Sequence, residues 1–329
     1  MNREVPVLDP KTEWFLQFLK EQGRPEVYEM PIDAAREMQA KAQALFAGSK
    51  LPVDMEDRTI SAGPEGKLGL RIFRPVGSRS VLPAVMYFHG GGWVLGDVET
   101  YDRFVREIAN GADAAVVFVE YDRAPEEHYP VPVEECYAAT KWVADHASEI
   151  RVQPGRIAVA GDSAGGNIAA AVTMLAKERG GPRIAAQVLI YPATTASCDT
   201  PSFEQFASGY YLTRESTRWF WRQYVANPSL ESEPTACPLK ASLDQLKGLP
   251  PALIITAECD VLRDEGELYA RKLMQAGVST TCTRYMGAIH GFMGINALAE
   301  IPVARSATAQ MNEMLRQVFD AKVSEQKAS

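Results

Sequence analysis

From residue 83 to residue 286 the chain keeps alternating between two kinds of hydrophobic pattern. Short, nearly continuous apolar runs occur at Pro83–Phe88, Ala114–Val119, Ile157–Ala160, Ala186–Tyr191 and Pro251–Thr256, with a more mixed run at Thr280–Met286. Runs of this length, bounded by turn residues, read as strands buried on both faces. Between and after them lie segments with helical spacing, at Tyr101–Asn110, Val133–Ala147, Ile168–Lys177, Asp264–Ala276 and Val303–Ala321. The alternation predicts a parallel sheet with helices on both faces. Arg58–Pro75 alternates residue by residue and is split by Gly63-Pro64-Glu65-Gly66, which predicts an antiparallel hairpin ahead of the parallel strands. The hairpin and the six later runs make eight strands.

Two stretches do not fit a bare sheet scaffold. Before the hairpin, Trp14, Phe15, Phe18 and Leu19 recur at helical spacing until Gly23 and Pro25. Pro31–Phe46 then forms a second amphipathic segment with Ala34, Met38, Ala42 and Leu45 on one face, ended by Gly48. These helices are either part of a lid or simple packing on the core. The second stretch, 194–239, has no clear strand and is crowded with aromatic side chains, three of them consecutive at Trp219-Phe220-Trp221. Neighbours on a helix point about 100° apart, so three in a row cannot all face one core. The stretch reads either as a lid over an apolar pocket or as aromatics packed among themselves.

Composition narrows the partners. The chain has 329 residues, enough for one large α/β domain with a cap or for two small domains. Its net charge of −8 argues against a nucleic-acid partner, because phosphate binding needs a basic face. No apolar run approaches a membrane span, and Met1–Pro6 lacks the apolar core of a signal peptide. The five cysteines form no C-x-x-C pair and do not cluster with the four histidines. They read as reduced thiols of a cytoplasmic protein, and no metal site is expected.

Ligands of open parallel sheets sit at the carboxyl ends of the strands. His89, Ser163, Asp260 and His290 all follow predicted strands closely. Ser163 lies in Gly161-Asp162-Ser163-Ala164-Gly165, where glycines two residues to either side allow a sharp strand-to-helix turn. Taken alone, these five residues also suit a glycine-rich turn that binds nothing. The glycine spacing does not match the dinucleotide pattern G-x-G-x-x-G.

A serine hydroxyl needs a neighbouring base. When the serine sits on such a turn, the chain order is serine, acid, histidine. Only His290 follows Ser163, in a loop after the last strand. Asp260 is the favoured acid, its work being to hold the tautomer of His290. Glu258 is the runner-up. Asp264 is assigned to capping a helix that begins at Glu265, and Asp162 is too near Ser163 to serve the histidine. For the oxyanion, the backbone N–H groups of Gly91 and Gly92, with that of Ala164 at the helix start, are the expected donors. His89 is then expected to orient that loop.

The segments His89-Gly90-Gly91-Gly92-Trp93, Gly161–Asn167, Asp260–Gly266 and His290-Gly291-Phe292 together resemble the hormone-sensitive-lipase family of α/β-hydrolases, in its branch of bacterial carboxylesterases. Tyr121–Pro130 also resembles a family segment, and the likeness runs from about residue 58 to 295. One departure stands out. The family usually has arginine and leucine after the tyrosine, where this chain has Asp122-Arg123.

The resemblance implies an α/β-hydrolase fold with a helical cap. Residues 1–55 and 194–239 would form the cap, and 56–193 with 240–329 the catalytic core. It implies cofactor-free hydrolysis of short- to medium-chain acyl esters. Trp93, Asp162, Tyr191, Tyr211 and Trp219 are the residues expected to contact substrate. A homodimer is a further expectation, because family members often pair through a sheet edge. Competing readings are a non-catalytic binding protein, as in relatives that have lost the histidine, an amide hydrolase and a lyase.

Overall fold

The computed structural model describes residues 6–321. Residues 1–5, to which the reading of the N-terminus largely refers, and residues 322–329 lie outside it. Two helices, α1 (Pro10–Glu21) and α2 (Ile32–Leu45), precede the hairpin β1 (Val53–Ile60) and β2 (Leu68–Pro75). There follow β3 (Leu82–Phe88), α3 (Val98–Ala112), β4 (Ala115–Glu120), α4 (Val131–Asp145), β5 (Val152–Asp162), α5 (Ala164–Glu178) and β6 (Ala186–Ile190). The aromatic stretch carries α6 (Pro201–Gln205) and α7 (Arg214–Tyr224). After α8 (Leu243–Leu246) come β7 (Ala252–Cys259), α9 (Arg263–Gln275), β8 (Thr280–Ile289) and α10 (Pro302–Asp320).

The eight strands form one sheet in the order β1-β2-β4-β3-β5-β6-β7-β8. β1 and β2 are antiparallel, β2 runs antiparallel to β4, and β4 through β8 are parallel. The hairpin starts at Val53, earlier than the alternation alone marks, so β1 begins inside the stretch assigned to the cap. Its side chains are mostly exposed, and an edge strand without a buried face shows little hydrophobic period.

Residues of β3, β4 and β6 are buried on nearly every position whichever way they point, so both faces of the sheet are covered. α3 packs with α10, and α4 with α5. The strand order reverses at β3 and β5, and a crevice opens outside their carboxyl ends. The loop that starts at His89 and the turn at Ser163 flank that crevice. No helix of the described residues is long and apolar enough to cross a membrane.

On α2 the inward face is Ala35, Met38 and Ala42, whereas Leu45 is 64% exposed. The face drawn from Ala34 to Leu45 is therefore rotated. The polar residues Arg36, Gln39 and Gln43 lie beside the true inner face and bind buried backbone, which conceals the pattern.

Candidate active site

Ser163 stands between the last residue of β5 and the first of α5, with φ 55° and ψ −116°. Such a backbone costs of order 1–3 kcal/mol and persists only where its surroundings enforce it. Here they do. The Ser163 N–H donates to the carbonyl of Ile190 at 2.8 Å. A Cβ at Gly161 would overlap the Gly165 carbonyl, and one at Gly165 would overlap the Phe88 carbonyl. The two glycines let three backbone segments approach closely enough to make the turn.

His290 follows β8 and reaches across the sheet edge. Its Nδ1 is 2.7 Å from Asp260 Oδ2, and its Nε2 is 3.0 Å from Ser163 Oγ. A carboxylate only accepts, so Nδ1 carries the proton and Nε2 offers its lone pair to the serine hydroxyl. Asp260 is fully buried, and its other oxygen accepts the N–H of Leu262 at 2.9 Å. Glu258, the alternative acid, accepts the Gly287 N–H at 2.7 Å and has no bond to His290. Asp264 does not cap the helix. α9 begins at Arg263, and the Asp264 carboxylate accepts the Ser202 N–H at 2.8 Å, tying α6 to the loop of Asp260.

The loop after β3 is built around left-handed backbone. Gly91 has φ 99°, Gly92 φ 62° and Trp93 φ 61°. At Gly92 a Cβ would overlap the ring of Phe220. Among the described residues, no acceptor takes the N–H of Gly91, Gly92 or Ala164. Gly91, Gly92 and Ala164 line one cavity with Ser163, and their N–H groups have no internal partner among the described residues.

His89 lies under this loop. Its Nδ1 donates to the Gly90 carbonyl at 2.7 Å, and its ring stacks on Tyr121 and Phe118. Burial pushes its pKa down to about 4, so the imidazole is neutral near pH 7. The Tyr121 hydroxyl donates to the His89 carbonyl at 2.8 Å. Asp162 holds the same loop from the other side. Its carboxylate accepts from the Tyr87 hydroxyl at 2.7 Å, the Tyr101 hydroxyl at 3.0 Å and the Gly90 N–H at 2.9 Å. Burial raises its pKa against these donors. The Asp122-Arg123 departure also bears on this loop, since Arg123 Nη1 donates to the Gly96 carbonyl at 2.6 Å.

A cavity of about 380 Å³ opens above Ser163 and His290. Phe15, Leu16 and Leu19 of α1 and Met38 and Ala42 of α2 form one wall, and Phe220 and Trp221 of α7 form part of another. Of the five expected contact residues, Trp93, Asp162 and Tyr211 line the cavity. Both Asp162 oxygens are taken by protein donors, which leaves its carboxylate little to offer a ligand.

Tyr191 is not on the cavity wall. Its ring is buried 4.8 Å from the His290 imidazole and 5.8 Å from Phe292. Trp219 is not on the wall either. The buried face of α7 carries Phe220, Trp221 and Tyr224, and Trp219 lies half-buried at its flank against Phe220. The same 100° step that forbids three inward neighbours selects the second and third of them.

Sequence reasoning missed the polar struts of α2. Gln39 accepts the Gly96 N–H at 2.8 Å, and Arg36 donates to the carbonyls of Val94 and Ala124. Gln43 donates to the Thr100 and Gly294 carbonyls and accepts the Asn296 N–H. One helix thus touches both the glycine loop and the loop that follows His290. The visible signal was Arg36, Gln39 and Gln43 recurring at helical spacing.

Comparison with known proteins bears on the fold and the family. A family model described as alpha/beta hydrolase fold matches residues 85–294. The chain is 41% identical over 270 residues to carboxylesterase NlhH of Mycobacterium tuberculosis, covering 81% of this chain and 83% of that one. It is 41% identical over 265 residues to carboxylic ester hydrolase LipN of the same organism, covering 78% and 69%. A crystal structure of a thermostable esterase from Pseudomonas putida superposes with a TM-score of 0.94 at 42% identity, covering 96% of this chain and 99% of the other. With more than half of the chain matched by the family model and its motifs gathered at one sheet edge, this protein belongs to the hormone-sensitive-lipase-like family of α/β-hydrolases.

Proposed function

We propose that this protein is a serine carboxylesterase that hydrolyses short- to medium-chain acyl esters through an acyl-enzyme. The observation that carries the reading is the relay from Asp260 through His290 to Ser163, with bonds of 2.7 and 3.0 Å, beneath a largely apolar cavity. Ser163 Oγ attacks the ester carbonyl while Nε2 of His290 takes its proton. Asp260 holds Nδ1 and stabilises the imidazolium. The carbonyl oxygen becomes an oxyanion held by the N–H groups of Gly91, Gly92 and Ala164. His290 returns the proton to the leaving alcohol. A water activated by the same Nε2 then hydrolyses the acyl-enzyme, and the proton goes back to Ser163.

In this reading α1, α2 and the 194–239 insertion are the cap, closing over a core of 56–193 and 240–329. The partner is a small-molecule ester. Five unpaired cysteines suit a reducing cytoplasm, and β8 offers an edge for a homodimer. Ser163→Ala tests the assignment. The variant is expected to fold with an unchanged melting temperature and to lose p-nitrophenyl butyrate hydrolysis by about 10³-fold or more. Turnover near that of the wild type would refute the role of Ser163.

A further inference from the structure

We propose that Trp93 and Tyr224 are positioning residues for the oxyanion hole, the last turn of α7 clasping the loop that carries Gly91 and Gly92. The inference rests on the reading of those two glycines as oxyanion donors. Gly91 and Gly92, with φ 99° and 62°, take left-handed backbone freely, so the loop itself does not pin them there. Trp93, with φ 61°, keeps this backbone only where its surroundings enforce it. The direction of the Gly91 and Gly92 N–H groups depends on it, and so something outside the loop must hold it.

The outside support comes from one helical turn. The Trp93 ring lies 4.1 Å from the Tyr224 ring with an interplanar angle of 2°, and 4.6 Å from Trp221 at 53°. One residue earlier, Gly92 abuts Phe220 so closely that no side chain fits between them. Phe220, Trp221 and Tyr224 therefore seat two successive loop residues.

The clasp is itself anchored. The Tyr224 carbonyl accepts the Tyr129 N–H at 2.9 Å, and the Tyr129 ring meets the Tyr224 ring edge-on at 5.8 Å. The Trp93 carbonyl accepts the Ala124 N–H at 2.9 Å. The loop is thus gripped by its side chain from α7 and by its carbonyl from the 121–130 segment. Trp93 is 1% exposed, so its ring has little face to offer a substrate. Releasing the clasp lets the loop relax and misaims the donors. That weakens the transition state while leaving most of the cavity that binds the substrate.

The test compares Tyr224→Leu with Tyr224→Phe in the full-length protein. For Tyr224→Leu, kcat on p-nitrophenyl butyrate is expected to fall by roughly 10- to 100-fold, less than the complete loss of a donor. KM should change by no more than about threefold. The inhibition constant of an alkyl boronic acid, which forms a tetrahedral adduct on Ser163, should rise by about the same factor as kcat falls.

Tyr224→Phe keeps the stacked ring, and the Tyr224 hydroxyl has no partner among the described residues, so both constants should stay close to the wild type. If Tyr224→Leu does not fold, Tyr224→Met, which also loses the stacked ring and leaves the cavity-lining Trp221 in place, is read the same way. The proposal is overturned by an unchanged kcat in the folded variant, by a loss wholly in KM, by a fall in kcat without the matching rise for the boronate, or by Tyr224→Phe as damaged as Tyr224→Leu. A wild type that hydrolyses no ester and binds no boronate overturns the underlying esterase reading. An active wild type with an equally active Tyr224→Leu overturns only the clasp.

Discussion

At the sheet edge, Ser163, Asp260 and His290 are placed by main chain. A strained turn, the first residues beyond β7 and the loop beyond β8 bring them together, and glycines with no room for a Cβ fix the turn. Above them the walls are placed by side chains. Gln39 and Gln43 of α2 bond to loop backbone, Phe220 and Tyr224 of α7 pack on aromatic and glycine faces, and Ser202 of α6 is tied to Asp264. The difference decides what a substitution does. At the edge a change should alter one step of the proposed reaction. In the walls it should alter how well two pieces of the molecule fit together.

The edge should therefore give the largest effect for the smallest structural change. Asp260→Asn is nearly isosteric and keeps the loop, but it presents an amide where His290 Nδ1 needs an acceptor. The imidazole is then held in the wrong tautomer, with Nε2 protonated toward Ser163. We expect kcat to fall by about 10⁴-fold, the size known for this change in a serine protease, with KM and the melting temperature almost unchanged. A loss of less than tenfold would mean that another group, with Glu258 first in line, orients His290.

The two halves also differ in how far they can be read from the chain. Continuous apolar runs mark the parallel strands because both faces are buried, and the residues at their ends follow at once. The G-x-S-x-G spacing is legible because its cause, close backbone approach, is local. Leu45 and Trp219 fall outside the inner faces of their helices for the opposite reason. Each belongs to a helix whose inner face is chosen by partners far along the chain: Gly96, Thr100 and Gly294 for α2, and Gly92 and Trp93 for α7. Hydrophobicity does not identify that face, because the struts of α2 are Arg and Gln.

A joint between the halves yields an intermediate effect that depends on pH. Glu265, in the first turn of α9, is buried and accepts the N–H groups of Thr194 and Thr195, where the insertion leaves the core. Burial pushes its pKa up to about 8. In the unfolded chain the carboxyl ionises near its ordinary value, so between about 4.5 and 8 the folded state holds a proton that the unfolded state has lost. Stability from this group is complete below that window and falls as pH rises through it, by at most about 1.4 kcal/mol per pH unit. Glu265→Gln keeps an acceptor for both N–H groups and has no charge to bury. Its melting temperature relative to the wild type should climb from pH 4.5 to pH 8. A difference that stays flat with pH would place the Glu265 proton elsewhere.

The smallest expected effect separates Tyr211 from Trp219, two aromatics of the same insertion. Tyr211 lines the mouth of the cavity, is 42% exposed, and lies 5.9 Å from Phe15 of α1. Truncating it removes apolar wall from both the bound ester and the transition state. Losing roughly 1 kcal/mol of such burial corresponds to about a fivefold rise in KM with kcat held. Trp219 has no place on the wall, so Trp219→Ala should change kcat/KM by less than about twofold. Measuring both variants on p-nitrophenyl acetate, butyrate and octanoate makes the contrast sharper. The Tyr211→Ala penalty should grow with acyl length if the chain runs under α1, and should stay constant if the alcohol lies there. A Trp219→Ala penalty that grows with acyl length would return Trp219 to the pocket and erase the distinction between the two faces of α7.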